Sequence, residues 1–319
     1  MSTTIPTFQD VLRARQRIRP YLSPTPLHRY PALDALLGTA VYVKHENYQP
    51  IGVFKVRGGI NLVSQMTPEE RTRGLITAST GNHGQSIAYA AQMFGAKAYI
   101  AVPENANPGK VAAMRGMGAE VIFHGAVFDE ARQHAEKLAE ERGYRYVHVG
   151  NEPLIVAGVA TYVLEMLETE PDIEYIFVPM GGGSGASGAC IAAHAVNPNI
   201  KVIAVQSEAA PAGYLSWRDK KLCEAPNKTF AEGVATGVGF AMPQAILWEQ
   251  LDDFKLVADD DIRWAMARMI DCAHTLAEGA GATPLAAAYQ MREELRGKKV
   301  ALVCSGGNTS LEHLRQAIA

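Results

Sequence analysis

The chain predicts an α/β fold with two parallel-rich sheets, on three observations. Short apolar runs alternate with helical stretches along most of its length, the order in which crossover helices join parallel strands. The runs fall into two series, one ending at Arg142 and the other starting at Tyr146. And 319 residues with 48% hydrophobic content can bury more than one core.

In chain order, strands are expected at 75–78, 97–102 and 120–123, followed by helices over 85–94, 109–117 and 127–142; with such short loops they make one compact unit. The second series has strands at 146–149, 175–179, 201–208, 254–257 and 300–304, with helices after Pro153 and from Ser184, and is expected to form a second sheet. Between Pro211 and Pro243 the periodicity fades while Gly, Pro and Lys accumulate. This stretch reads as loop and short helix near the site or an interface. There is no internal repeat, and with one helix after Asn308 no appended regulatory domain is expected.

Thirty Lys and Arg against 33 Asp and Glu leave a net charge of -3, without a basic block. Nucleic acid and anionic lipid are therefore disfavoured, and a small molecule is the expected partner. The N-terminus through Pro6 lacks an apolar signal core and no run is long enough to span a membrane, so a cytoplasmic protein is expected. Cys190, Cys223, Cys272 and Cys304 are far apart and read as reduced, packed thiols, with neither zinc nor disulfides expected.

Four segments carry chemistry. Lys55 stands between Phe54 and Val56, where desolvation favours the nucleophilic amine and hence Schiff-base formation; a snorkelling lysine is the plainer alternative. The expected strand at 175–179 runs into Met180, Gly181, Gly182, Gly183, Ser184, Gly185, Ala186, Ser187 and Gly188, which aims bare N–H groups and a helix N-terminus at a phosphate. The loop lacks the Lys-Ser/Thr ending of a nucleoside triphosphate site, but residues 183–188 fit GxGxxG, with Glu208 twenty residues on. Dinucleotide and single-phosphate binding thus both remain open on this segment. The strand at 75–78 leads into Ser79, Thr80, Gly81, Asn82 and His83, a polar loop at a helix start that suits a substrate carboxylate or simply caps the helix. The last strand ends in Ser305, Gly306, Gly307 and Asn308, either a tight turn or a hydroxyl at the ligand-binding edge of a sheet.

These four motifs, in this order, resemble the fold-type II pyridoxal phosphate enzymes, which are tryptophan synthase β-like, and within them the serine/threonine dehydratase and serine racemase group. The likeness runs from Pro24-Thr25-Pro26-Leu27 through Lys44-His45-Glu46-Asn47 to Ser305-Gly306-Gly307-Asn308. It implies a pyridoxal 5'-phosphate Schiff base on Lys55, with the phosphate on Gly181, Gly182, Gly183, Ser184 and Gly185, the ring hydroxyl on Asn82 and the pyridine nitrogen on Ser305. Phe54, Glu278 and Gly233 would lie beside the cofactor, and Ser79, Thr80, Gly81, Asn82 and His83 would grip the substrate carboxylate. The implied organisation is a small domain of residues 48–146 inserted in a large one of 1–47 and 147–319, with the cofactor between the two sheets, in a homodimer. The implied reaction is β-elimination from a β-hydroxy amino acid such as L-threonine, L-serine or L-threo-3-phenylserine. A conjugated pyridine takes up the charge left at Cα, Lys55 takes the proton, and a 2-keto acid and ammonia result. A serine rather than an aspartate at the ring nitrogen suits prompt loss of a β-substituent.

Three positions depart from that pattern. Val53 replaces a usual serine, Gly59 a common alanine, and Thr80 an alanine or the catalytic serine of the racemase, so that a hydroxyl for racemisation is retained. The stretches 54–59, 113–120 and 206–212 are nearer the phenylserine and hydroxyectoine-utilisation dehydratases. Tyr214 stands where metal-dependent relatives carry a second acid after the one at Glu208, so no metal is expected. Arg132 is either a solvated helix-face charge or a partner for the second carboxylate of hydroxyaspartate. Two rival classes are a nicotinamide-linked dehydrogenase, which would leave Lys55, Asn82 and Ser305 unused, and a silent amino-acid-binding protein, against which Lys55 itself argues.

Overall fold

The computed structural model describes residues 4–319; the first three residues of the N-terminus, expected to lack a signal core, lie outside them. Among the described residues, ten strands form two sheets. In chain order they are β1 Leu27–Arg29, β2 Ala40–His45, β3 Leu75–Ala78, β4 Ala98–Val102, β5 Glu120–Phe123, β6 Arg145–Tyr146, β7 Tyr175–Pro179, β8 Lys201–Ser207, β9 Asp253–Val257 and β10 Lys299–Cys304. The smaller sheet has the order β5-β4-β3-β6 and is parallel throughout. The larger has the order β1-β2-β10-β7-β8-β9 and is parallel except for the edge strand β1.

The apolar runs of β7, β8 and β10 follow from burial on both faces. Ile176, Val178, Val202 and Ala204 pack into one core with the helix Ser184–Val196, while Phe177, Ile203, Val205 and Leu302 pack into the opposite one with the helix Gly279–Gln290. A third core lies under the smaller sheet and includes Leu75, Ile100 and Ile87.

The strand order places the motifs. In the smaller sheet the chain proceeds from β3 to β4 and β5, then returns with β6 on the other side of β3. In the larger it proceeds from β7 to β8 and β9, then returns with β10 on the other side of β7. Such reversals open a crevice at the carboxyl ends of the strands involved. The loops after β3, β7 and β10 are the 79–83, 181–185 and 305–308 segments.

One expected placement is corrected. The strand expected at 146–149 in the second sheet is the short β6, and it pairs with β3 in the smaller one. Val147 N–H donates to Ile76 O at 2.8 Å and Thr77 Oγ1 donates to Val147 O at 2.7 Å, so the segment is held to β3 beyond the strand itself. The stretch 211–243 is, as expected, short helices and loop, with Ala212–Arg218, the single turn Glu232–Val234 and the start of Ala241–Gln250.

Candidate active site

Lys55 immediately precedes the helix Val56–Val63. The segment leading to it is fastened to the turn after β10: Phe54 N–H donates to Ser305 O at 2.9 Å, Gly307 N–H donates to Gly52 O at 2.9 Å, and Val53 bridges Gly306. The Lys55 carbonyl accepts from Ser86 Oγ at 2.6 Å. That contact accounts for Gly59, where a Cβ would stand 2.5 Å from Ser86 Oγ and 2.6 Å from its carbonyl oxygen. The amine is desolvated, which pulls its pKa from 10.5 down to about 8, against the opposing charge of Glu278. Its Nζ lies 5.1 Å from the Phe54 ring centre.

Lys55 shares one cavity with the glycine loop, Gly181, Gly182, Gly183, Ser184 and Gly185, with Phe54 and Asn82, and with Gly233, Glu278 and Ser305. Every position expected to touch a cofactor thus lines it, together with Pro179 and Ala280. Among the described residues, the amides of Gly181, Gly182 and Gly183 make no backbone hydrogen bond and are left for an anion, at the start of the thirteen-residue helix Ser184–Val196. Gly183 has φ +87°, and a Cβ on Gly181 would collide with the Gly233 carbonyl. The bare backbone is therefore a cradle that a side chain would fill. A carbonyl-bearing, phosphate-bearing cofactor fits a wall that combines this cradle with a desolvated amine.

The loop after β3 divides its labour. Ser79 Oγ accepts from Gly84 N–H at 2.9 Å and Gly81 N–H at 3.3 Å, so this hydroxyl shapes the helix start, as the capping alternative has it. The Thr80 hydroxyl is not used in that way. His83 is buried, and desolvation, with the Lys55 charge second, lowers its pKa to about 3, leaving a neutral ring. Its Nε2 has no partner among the described residues. Asn82 is tied across to the larger sheet's segments: Nδ2 donates to Glu278 Oε1 and Oε2 at 2.8 and 3.1 Å, and Oδ1 accepts from Asn308 Nδ2 at 2.9 Å. Burial raises the pKa of Glu278, and the Asn82 hydrogen bond opposes it.

Other groups near the site carried no motif. Lys110, at the start of the helix Pro108–Gly116, makes an ion pair with Glu232. The pair stands over Gly81, whose Cβ would lie 3.7 Å from Lys110 Nζ and 3.9 Å from Glu232 Oε2. His148 Nδ1 accepts from the amides of Gly150 and Asn151 at 3.0 and 2.9 Å, its ring edge-on to Phe240, and desolvation lowers its pKa to about 4. Arg132 pairs with Asp129 and Glu136 of its own helix at 3.2 and 2.8 Å. Glu208 is exposed and does not line the cavity. Cys190 and Cys304 are buried free thiols, while Cys223 and Cys272 are half-buried and free.

Residues 18–306 match the family described as pyridoxal-phosphate dependent enzyme. The chain is 36% identical over 313 residues to L-threonine ammonia-lyase of Thermotoga maritima, covering 98% of this chain and 78% of that protein. It is 35% identical over 316 residues to L-threo-3-hydroxyaspartate ammonia-lyase of Saccharomyces cerevisiae, covering 99% and 97% respectively. The crystal structure of serine racemase from Dictyostelium discoideum superposes with a TM-score of 0.90 at 33% identity, over 96% of this chain and 99% of that one.

Proposed function

We propose that this chain, which belongs to the family of pyridoxal-phosphate dependent enzymes, is an ammonia-lyase that converts a β-hydroxy-α-amino acid to a 2-keto acid and ammonia. One observation carries the reading: Lys55, with a pKa of about 8, opens into the same cavity as the anion cradle and Ser305. Pyridoxal phosphate, when bound, supplies the electron sink that lets a proton leave Cα and a β-hydroxyl depart.

The chain's own residues do the rest. The amides of Gly181, Gly182 and Gly183, with Ser184 and Gly185 at the helix start, would hold the phosphate, and Phe54 and Gly233 would flank the ring. Asn82 would hold the ring hydroxyl and Ser305 the ring nitrogen, with Glu278 on the same cavity wall. The amides of Thr80, Asn82 and His83, in the loop that Ser79 shapes, would hold the substrate carboxylate with Ser79 and Gly81 beside them. Lys55 Nζ takes the proton from Cα, a transfer favoured because its pKa lies near neutral pH. In the same reading residues 48–146 form a small domain inserted in a large one made of 1–47 and 147–319, and two copies form a dimer.

A second reading, racemisation, rests on Thr80: with Ser79 Oγ committed to two amides, the Thr80 hydroxyl is the loop's available group for returning a proton to the opposite face of Cα. The test is keto acid and ammonia release from L-threonine, L-serine, L-threo-3-phenylserine and L-threo-3-hydroxyaspartate. Equal amounts of both products from at least one, lost about 1000-fold or more in Lys55→Ala, is the expected result. D-serine formed from L-serine without keto acid would instead support racemisation. A Lys55→Ala protein with unchanged turnover and colour would overturn both.

A further inference from the structure

Asn82 is a carboxamide, with a donor end and an acceptor end that a half-turn exchanges at almost no change of shape. Which end faces a ligand is therefore decided by its neighbours. Glu278, which accepts from Nδ2 at 2.8 and 3.1 Å, lines the cavity with Asn82; Asn308, which donates to Oδ1 at 2.9 Å, does not. The donor end is thus at the cavity wall and the acceptor end is turned behind it. A flipped Asn82 would set two amino groups against each other and an oxygen against the Glu278 carboxyl.

Asn308 is itself fixed. Its Nδ2 also donates to Ile51 O at 2.9 Å, and a Cβ at Gly52, which has φ +69°, would stand 2.5 Å from its Oδ1. The adjoining Gly307 N–H is bonded to Gly52 O at 2.9 Å. Asn308 thus reaches Asn82 from a turn anchored to the segment that presents Lys55.

We propose that Asn308 is a positioning residue for the cofactor: it locks the Asn82 carboxamide with its donor end toward the cavity, so that Asn82 can hydrogen-bond an oxygen on the cofactor ring. This rests on the assignment of Asn82 given above. The test titrates cofactor-free protein with pyridoxal phosphate and reads the Kd and the pH at which the visible band converts. The variants are Asn308→Ala, Asn308→Asp, Asn82→Ala and the double Asn82→Ala/Asn308→Ala, each checked by its thermal midpoint. Asn308→Asp keeps the side chain's shape while removing the donor, and it decides the matter should Asn308→Ala fail to fold.

Both Asn308 variants are expected to weaken binding about 10-fold, the scale of one hydrogen bond, and to move the pH of conversion. In the Asn82→Ala background, loss of Asn308 should add nothing. Additive effects of Asn82 and Asn308, or Asn308 variants with unchanged Kd and unchanged conversion, would overturn the proposal. An Asn82→Ala protein indistinguishable from wild type would remove the assignment of Asn82 and this proposal with it.

Discussion

At the scale of single residues, Lys55 shows how much a local environment changes a common side chain. An ordinary lysine of pKa 10.5 is about 0.03% free amine at pH 7, whereas one of pKa about 8 is roughly 10% free. Only the free amine attacks a carbonyl, so the rate at which cofactor-free protein takes up pyridoxal phosphate should rise with pH and level off above a midpoint near 8. Stopped-flow absorbance against pH reads this directly. Glu278 is the acid that opposes the desolvation, so Glu278→Gln should move the midpoint to lower pH. A midpoint near 10 in the wild type would mean that the amine is solvated and that burial does not activate it. The sequence neighbours Phe54 and Val56 already signal this desolvation, but the charge of Glu278, 223 positions away in the chain, carries no such local mark.

At the scale of elements, the helix after Lys55 is held by buried charge. Arg57 donates through Nε and Nη2 to both oxygens of Glu46 at 2.8 Å, and through Nη1 and Nη2 to those of Glu165 at 2.7 Å. Lys44 donates to Glu165 at 2.6 Å, and all four side chains are at most 6% exposed. Desolvation alone would raise the pKa of Glu46, but the Arg57 guanidinium prevails and holds it below the usual carboxylate range. The cluster joins β2, the helix Val56–Val63 and the helix Thr161–Thr169. Arg57→Met should therefore destabilise by about 3–5 kcal/mol, because two carboxylates are left in the interior with one lysine. Urea unfolding measures it, and a loss under about 1 kcal/mol would show that water reaches the cluster. The same chemistry hides β2 from sequence reading. Its end, Lys44-His45, followed by Glu46, has the polarity of a surface loop, yet all three are buried because their partners arrive from Thr25, Tyr30, Arg57 and Glu165. The loops after β3, β7 and β10 are legible for the opposite reason: their glycines, hydroxyls and amides act at the position where they are written.

At the scale of the whole molecule, the two series of strands are readable as two sheets, because crossover alternation is a property of the chain order. The allegiance of β6 is not readable, since two residues carry too little pattern and Val147 joins β3 through hydrogen bonds that no periodicity announces. The same limit applies to the bridges between the sheets' loops, Asn82 with Glu278 and Asn308, and Lys110 with Glu232. Of these, the second is accessible to experiment without touching the cavity wall, since neither of its residues lines the cavity. It spans from the smaller sheet's helix Pro108–Gly116 to the turn Glu232–Val234, over Gly81. Were the bridge to hold the carboxylate loop near Lys55, breaking it would weaken the grip on substrate more than the chemistry. Because the Glu232 side chain is 54% exposed, the pair is worth at most about 1 kcal/mol. Glu232→Gln should thus raise KM for the amino acid by no more than about 5-fold, with kcat nearly unchanged. The difference from wild type should shrink as salt screens the pair, so KM measured at low and at high ionic strength separates an ion pair from a packing effect. A fall in kcat with KM unchanged would place Glu232 in the chemistry itself, and no change in either would show that the Lys110–Glu232 pair does not hold the carboxylate loop.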